Sequence, residues 1–284
     1  MDYGELGREI AGRLAAGYGA GEGKAMARLI IHHLKGWDQT QFVIHSDERV
    51  SDYILGKVGE ILVRLDRHEP LQYILGEARF YGMDLKVDRN VLIPRPETEE
   101  LVDLIIEENP GDDLTVLDVG TGSGGIAIAL SRNLPFSRVT ALDISDGALK
   151  VAEENARLLH ADIKFEKQDI FTYDPASDTF NIIVSNPPYI VESERKDMEA
   201  NVLEYEPASA LFVPDSAPLL FYSRIAEVGS LGLKPGGRLY FEINPLFAGQ
   251  MRKMLVTEGY EDVRIIKDIS RRDRFAAAIK PMRQ

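Results

Sequence analysis

Apolar positions along this chain change their spacing near residue 76. From Ser51 onward, Tyr53, Ile54, Val58, Ile61, Leu62 and Leu65 recur on one helical face, and Ser51 is placed to cap the first turn. Residues 1–75 therefore read as a domain of short helices. The run Gly17-Tyr18-Gly19-Ala20-Gly21-Glu22-Gly23 separates the first two, and Trp37-Asp38-Gln39-Thr40 marks a later connection. Next, Phe80 to Val87 alternates about a turn-like centre, which predicts a hairpin within a linker of residues 76–92.

Residues 93–284 show a different rhythm, in which short apolar runs alternate with amphipathic stretches. Strands are expected over Thr115 to Val119, Arg138 to Leu142, Ile163 to Lys167 and Phe180 to Ser185, with helices starting at Gly124 and Ser145. That order predicts an α/β fold, a mostly parallel sheet covered by helices on both faces. After the turn Lys234-Pro235-Gly236-Gly237 comes a strand over Gly237 to Ile243. A helix from Leu246 to Glu258 and strands over Asp262 to Ile266 and Arg274 to Ile279 complete the pattern. There is no internal repeat.

At 284 residues and 44% hydrophobic content the chain can bury a sizeable core. No apolar stretch is long enough to span a bilayer, and the charged N-terminus lacks a signal-peptide pattern, so a soluble cytoplasmic protein is expected. Nothing demands more than a monomer. The absence of cysteine removes disulfides, thiolate metal sites and thiol nucleophiles, and no metal is expected. Net charge is -13, which disfavours a nucleic-acid partner because phosphate binding needs a basic surface. Residues 1–75 hold 9 Lys and Arg against 11 Asp and Glu, the remainder 24 against 35, so the acidity lies mostly in the larger part.

One glycine-rich segment is a false lead. Gly17 to Gly23 runs into Lys24, but Tyr18 stands where a phosphate-binding loop needs its first glycine, Ala25 replaces Ser/Thr, and no strand precedes it. The second glycine run is different. Val116-Leu117-Asp118-Val119 leads into Gly120-Thr121-Gly122-Ser123-Gly124-Gly125 and then an apolar helix, a strand–turn–helix that brings a ligand close to backbone N–H groups. Asp143, 19 residues after Gly124, is placed to accept from ribose hydroxyls. The same glycines also satisfy the dinucleotide pattern, so a nicotinamide or flavin oxidoreductase stays open. Asp118 and Asp169 favour S-adenosylmethionine instead: the first can meet a methionine ammonium, directly or through water, and the second an adenine amino group.

Asn186-Pro187-Pro188-Tyr189 closes the fourth expected strand. The prolines supply no N–H and push Asn186 to an extended conformation, leaving its carboxamide and the free carbonyls to act as acceptors. An amide or aromatic amino nitrogen is a poor nucleophile because its lone pair is delocalised. If Asn186 Oδ1 and the Pro187 carbonyl each take one of its protons, the lone pair is freed toward a methyl donor, by positioning and preorganised dipoles. Tyr189 is expected to stack on the flat group. An ordinary Asn-Pro turn ending a strand is the competing reading of the tetrapeptide alone.

Together with Pro70 to Gly76, Phe80, Val91-Leu92-Ile93-Pro94-Arg95-Pro96-Glu97-Thr98-Glu99 and Asp143-Ile144-Ser145, these residues closely resemble the HemK/PrmC family of glutamine methyltransferases over nearly the whole chain. The resemblance implies a Rossmann-like S-adenosylmethionine-dependent domain with a seven-stranded sheet, joined by the hairpin to a helical N-terminal domain that helps dock the substrate. That substrate would be the Gly-Gly-Gln glutamine of class 1 peptide chain release factors. S-adenosylhomocysteine would be the product. It further implies that Gly120 to Gly124, Asp143, Asp169, Ile170 and Asn186 contact the cofactor, that Asn186 to Tyr189 receive the glutamine, and that Pro94 to Thr98 lie near the reaction centre. Pro96 and the acids after it equally suit the start of a helix. The chain departs from the family at Glu242-Ile243-Asn244-Pro245, where Glu-x-Gly is usual. Glu192 to Glu206 reads either as a substrate-covering loop or as solvated surface. The rival activities are methylation of an adenine amino group on a flipped base, which uses the same tetrapeptide, and a non-catalytic binding role.

Overall fold

The computed structural model describes residues 1–282, which form two compact units, residues 1–76 and the residues from Glu77 onward. The first unit holds α1 (Tyr3–Tyr18), α2 (Ala20–Lys35), α3 (Gln39–Ile44), α4 (Asp52–Leu65) and α5 (Leu71–Leu75). Polar caps set the helix starts. Asp2 and Asp38 make reciprocal capping boxes with Glu5 and Gln41, and the Ser51 side chain accepts from the Ile54 N–H. Leu6, Ile10, Ile30, Val58 and Leu65 are buried among the helices.

Two details differ from the sequence pattern. Only Gly19, with φ at +84°, breaks the first two helices, whereas Gly21 and Gly23 lie inside α2. A Cβ on Gly23 would stand 2.9 Å from the Ala11 carbonyl oxygen, so that glycine serves the close approach of α1 and α2. Tyr53 is 70% exposed and does not share the buried face of α4.

The second unit opens with a hairpin, β1 (Glu77–Phe80) and β2 (Met83–Lys86), turning at Gly82 with φ at +72°. Then follow α6 (Pro96–Glu108), β3 (Thr115–Val119), α7 (Gly125–Asn133), β4 (Arg138–Asp143), α8 (Asp146–Leu158), β5 (Ile163–Lys167) and β6 (Phe180–Ser185). A short parallel pair, β7 (Ile190–Val191) and β8 (Phe212–Val213), brackets α9 (Ala200–Tyr205). The chain ends with α10 (Leu220–Gly232), β9 (Leu233–Glu242), α11 (Ala248–Thr257), β10 (Glu261–Lys267) and β11 (Asp273–Ile279).

Seven strands form one sheet in the order β10-β11-β9-β6-β3-β4-β5, parallel from β9 to β5 and antiparallel at β11 and β10. Alternate residues face opposite cores, so Val116, Ile182 and Tyr240 pack on one side and Leu117, Ile183 and Leu239 on the other. Burial on both faces explains the near-continuous apolar runs of these strands. The strand placed at Gly237 to Ile243 starts earlier: Lys234 to Gly237 form an irregularity within β9, where pairing jumps from Phe180↔Leu233 to Ile182↔Arg238 and Gly236 takes a φ of +76°.

Topology puts the strand ends in a useful order. The chain runs outward through β4 and β5, then crosses back to lay β6 on the other side of β3, so the switch point lies between β3 and β6. Val119 pairs with Ser185, which makes Gly120 and Asn186 the next residues on two adjacent strands. The Ser185 hydroxyl donates to the Val119 carbonyl at 2.7 Å and ties the two ends together.

Asn155 of α8 holds the hairpin to the glycine turn. Its Oδ1 accepts from the Lys86 N–H at 2.7 Å, and its Nδ2 donates to the carbonyls of Lys86 and Ser123, both at 2.9 Å. Asn155→Ala leaves these backbone groups without partners at a buried site and is expected to lower stability by about 3 kcal/mol in urea denaturation.

Candidate active site

A cavity of about 490 Å³ opens over the carboxyl ends of β3, β4, β5 and β6. Gly120, Gly122 and Gly124 hold φ at +74°, +56° and +82°, conformations that let the chain turn tightly from β3 into α7. Gly120, Thr121, Gly122 and Ser123 line the cavity. Gly124 does not: it caps α7 from behind, where a Cβ would stand 3.2 Å from the Ala152 Cβ. Close packing also explains Gly125, whose Cβ would meet the Phe80 ring at 3.1 Å.

Asp143 lines the cavity with its carboxylate anchored to the backbone, Oδ2 accepting from the Gly122 N–H at 3.0 Å and Oδ1 from the Ser145 N–H at 2.9 Å. Asp169 and Ile170 line it at the end of β5, and Asp169 Oδ1 accepts from the Phe171 N–H. Asn186, Pro187 and Pro188 close it at the end of β6.

Asp118 stands apart from this group. It is wholly buried beneath the turn and does not line the cavity; the residue that does is Thr121, whose hydroxyl donates to Asp118 Oδ2 at 2.7 Å. Asp118 Oδ1 has no partner in hydrogen-bond geometry. Burial pushes the Asp118 carboxyl up to about 7 against the pull of the Thr121 hydroxyl and the Ala127 N–H, with Asp143 adding a further upward push. The direct approach of this carboxylate to a ligand ammonium, one of the two routes the sequence allowed, is therefore screened by Thr121.

Tyr189 also sits differently from the stacking platform expected of it. It lines a second, smaller cavity of about 150 Å³ that shares Leu92, Arg95, Asn186, Pro187 and Ala210 with the first. Its hydroxyl donates to Glu242 Oε1 at 3.1 Å, and burial followed by the charge of Glu242 drives its own ionisation well upward.

Glu242, which the sequence marked only as the start of the departure from the family pattern and gave no role, lies at the centre of this group. Ser185 pairs with Phe241, so Glu242 ends β9 beside Asn186. Only 1% exposed, it accepts from the Thr98 hydroxyl at 2.6 Å and from Asn186 Nδ2 at 3.0 Å, both through Oε2. Asn186 Nδ2 also lies 3.3 Å from Thr98 Oγ1. Burial raises the Glu242 carboxyl, opposed by Thr98, Tyr189 and Arg274. Its signal in the sequence is a lone acid at the end of an apolar strand, the same pattern that picked out Asp118.

The segment around α9 borders both cavities. Glu206, 6% exposed, pairs with Arg95 at 2.5 Å and accepts from the Ile93 N–H at 3.2 Å. Pro207 and Ser209 reach the large cavity, Met198 and Val202 the small one. Asn244, at the departure from the family pattern, donates to the Tyr189 carbonyl at 3.2 Å and to Glu194 at 2.8 Å.

Residues 98–210 match the methyltransferase small domain, and residues 5–76 match the PrmC N-terminal domain. The chain is 49% identical to the release factor glutamine methyltransferase of Bacteroides thetaiotaomicron, covering 90% of this chain and 92% of that one. It is 44% identical to that of Flavobacterium psychrophilum, covering 86% of each.

The chain belongs to the release factor glutamine methyltransferase family.

A methyltransferase from Pyrococcus furiosus shares the fold at 15% identity and a TM-score of 0.53, covering 79% of this chain and all of that one. This is an α/β methyltransferase fold with a helical N-terminal region, and the enzyme class is that of the family.

The buried acids give this member of the family a pH signature. Between about pH 4, where an unfolded aspartate titrates, and about 7, Asp118 binds a proton in the folded protein only. Stability therefore falls as pH rises through this window, and Glu242, also shifted upward, acts in the same sense. Glu108, held low mainly by its hydrogen bonds with Arg264, loses its contribution only at more acidic pH. The thermal midpoint is expected to drop from pH 5 to pH 8, and Asp118→Asn should flatten that slope; an unchanged slope would contradict the assignment.

Proposed function

We propose that this protein methylates the side-chain amide nitrogen of the glutamine in the Gly-Gly-Gln motif of class 1 peptide chain release factors, with S-adenosylmethionine as donor. One observation carries this reading: the glycine turn after β3 and Asn186-Pro187 after β6 face one cavity, while a second cavity reaches the same Asn186-Pro187 from another side.

The residues present fit the donor. Asp143 offers a carboxylate already oriented by two backbone N–H groups, suited to ribose hydroxyls. The Asp169-Ile170 edge suits the adenine, and Thr121, backed by the half-partnered Asp118, suits the methionine end. When bound, S-adenosylmethionine supplies an electrophilic methyl group and leaves as S-adenosylhomocysteine. The chain's own part is to hold the acceptor nitrogen. Asn186 Oδ1 and the Pro187 carbonyl accept hydrogen bonds from its two N–H groups, which draws the lone pair out of conjugation and toward the methyl group. As the new N–C bond forms and the donor's S–C bond breaks, one of those protons is released to solvent water. Preorganised dipoles of this kind act without an obligatory strong base.

The family relationship and the helical N-terminal unit support a protein substrate over a flipped base, as does the net charge of -13. The cytoplasm, where translation terminates, is the compartment this substrate implies. Among the described residues no helix is long and apolar enough to cross a membrane.

Labelled methyl transfer to a purified release factor, with mass spectrometry to locate the methyl group, tests the reading. The label is expected on the Gly-Gly-Gln glutamine; label on DNA or RNA and none on that glutamine would overturn it. Asn186→Ala is expected to lower kcat by roughly 10²–10³-fold, with S-adenosylhomocysteine affinity changed far less.

A further inference from the structure

We propose that Glu242 is a positioning residue: it fixes which end of the Asn186 carboxamide faces the substrate, so that Asn186 presents an acceptor oxygen and never its amino group. This rests on the reading of Asn186 as the acceptor of the glutamine amide protons.

An ionised carboxylate can only accept, and three donors converge on this one. Thr98 Oγ and Asn186 Nδ2 meet Glu242 Oε2 at 2.6 and 3.0 Å, and the Tyr189 hydroxyl meets Oε1 at 3.1 Å. The single proton of Thr98 is committed to Glu242. Its oxygen can therefore meet Asn186 only by accepting, which it does at 3.3 Å. Both inward partners of the Asn186 amide thus require donors. Rotating the carboxamide by half a turn would set Oδ1 against a carboxylate oxygen and a hydroxyl lone pair, leaving buried acceptors face to face. With Nδ2 held inward, Oδ1 is the atom left to a ligand.

Tyr189 belongs to this lock as a strut. Its carbonyl is held by Asn244, its ring packs against the core that contains Tyr222 and Phe241, and its hydroxyl braces the far oxygen of Glu242. An outward acceptor selects for planar nitrogens that carry protons. It accepts a glutamine side chain and repels the carboxylate of a glutamate in the same place.

Three variants separate the lock from a general packing role, assayed on a Gly-Gly-Gln peptide after thermal midpoints confirm folding. Glu242→Gln places an amino group where either orientation of Asn186 finds a partner, and kcat is expected to fall roughly 10²-fold with S-adenosylhomocysteine affinity unchanged. Asn186→Asp sets two carboxylates against each other and should lose more. In the double variant the new amide can donate to the new carboxylate and turn an oxygen outward again, so kcat should rise above that of Asn186→Asp alone. A double variant no better than Asn186→Asp, or Glu242→Gln at wild-type kcat, overturns the proposal. If the wild type methylates neither the peptide nor a purified release factor, it is the functional reading that falls. The lock is then read without substrate, from hydrogen exchange of the Asn186 side-chain amide: slow in the wild type and fast in Glu242→Gln supports it, and equal rates overturn it.

Discussion

Parallel pairing of β6 between β3 and β9 is the constraint on which the site depends. Val119 opposite Ser185, and Ser185 opposite Phe241, bring Gly120, Asn186 and Glu242 to neighbouring strand ends. The register is strongly held because Leu117, Ile182, Ile183, Leu239 and Phe241 are fully buried, on the two faces of the sheet. A slip of one residue would exchange the faces of every side chain on the strand. The chemistry therefore inherits its precision from the packing of the sheet, and the loops need only start where the strands stop.

Two buried carboxylates divide the work beneath the cavity floor. Asp118 supports the glycine turn through Thr121, and Glu242 supports the proline turn through Asn186, Thr98 and Tyr189. They differ in how far they are satisfied. Glu242 has side-chain donors on both oxygens, whereas Asp118 has one side-chain donor, the Thr121 hydroxyl, and the Ala127 N–H nearby. A half-satisfied acid beneath a ligand cavity suits a cationic ligand nearby, and a fully satisfied one suits a fixed frame. Burial raises both carboxyls, and the hydrogen bonds that each accepts oppose that shift.

The segment from Glu192 to Ala210 shows how charge can mislead. By composition it is as compatible with solvated surface as with a cover over the site. In the fold it forms short helical turns, and Glu206 turns inward to hold Arg95 and the Ile93 N–H. Its apolar residues Met198 and Val202 face the smaller cavity, while most of its charges stay outside. Which acid is buried depends on where Arg95 lies, more than one hundred residues earlier, and no local pattern carries that information.

Local spacing was enough for the strands β3 to β6, the glycine turn, Asp143 and the proline turn, because each is set by backbone preferences within a few residues, but it gave neither α10 nor the short elements β7, α9 and β8. Ser51 as a cap and Pro96 as the first residue of α6 follow from the same local rules. Long-range partners were not available to such reasoning. The bond from the Tyr189 hydroxyl to Glu242, and that from Thr98 at the start of α6 to the same carboxylate, could not be read from either local segment. The burial of Asp118 beneath the turn likewise comes from tertiary packing. Residue identity thus determined which groups can donate, accept or bend the chain. Tertiary structure decided which of them meet, because a hydrogen bond between residues 56 or 144 positions apart exists only once the sheet has been assembled.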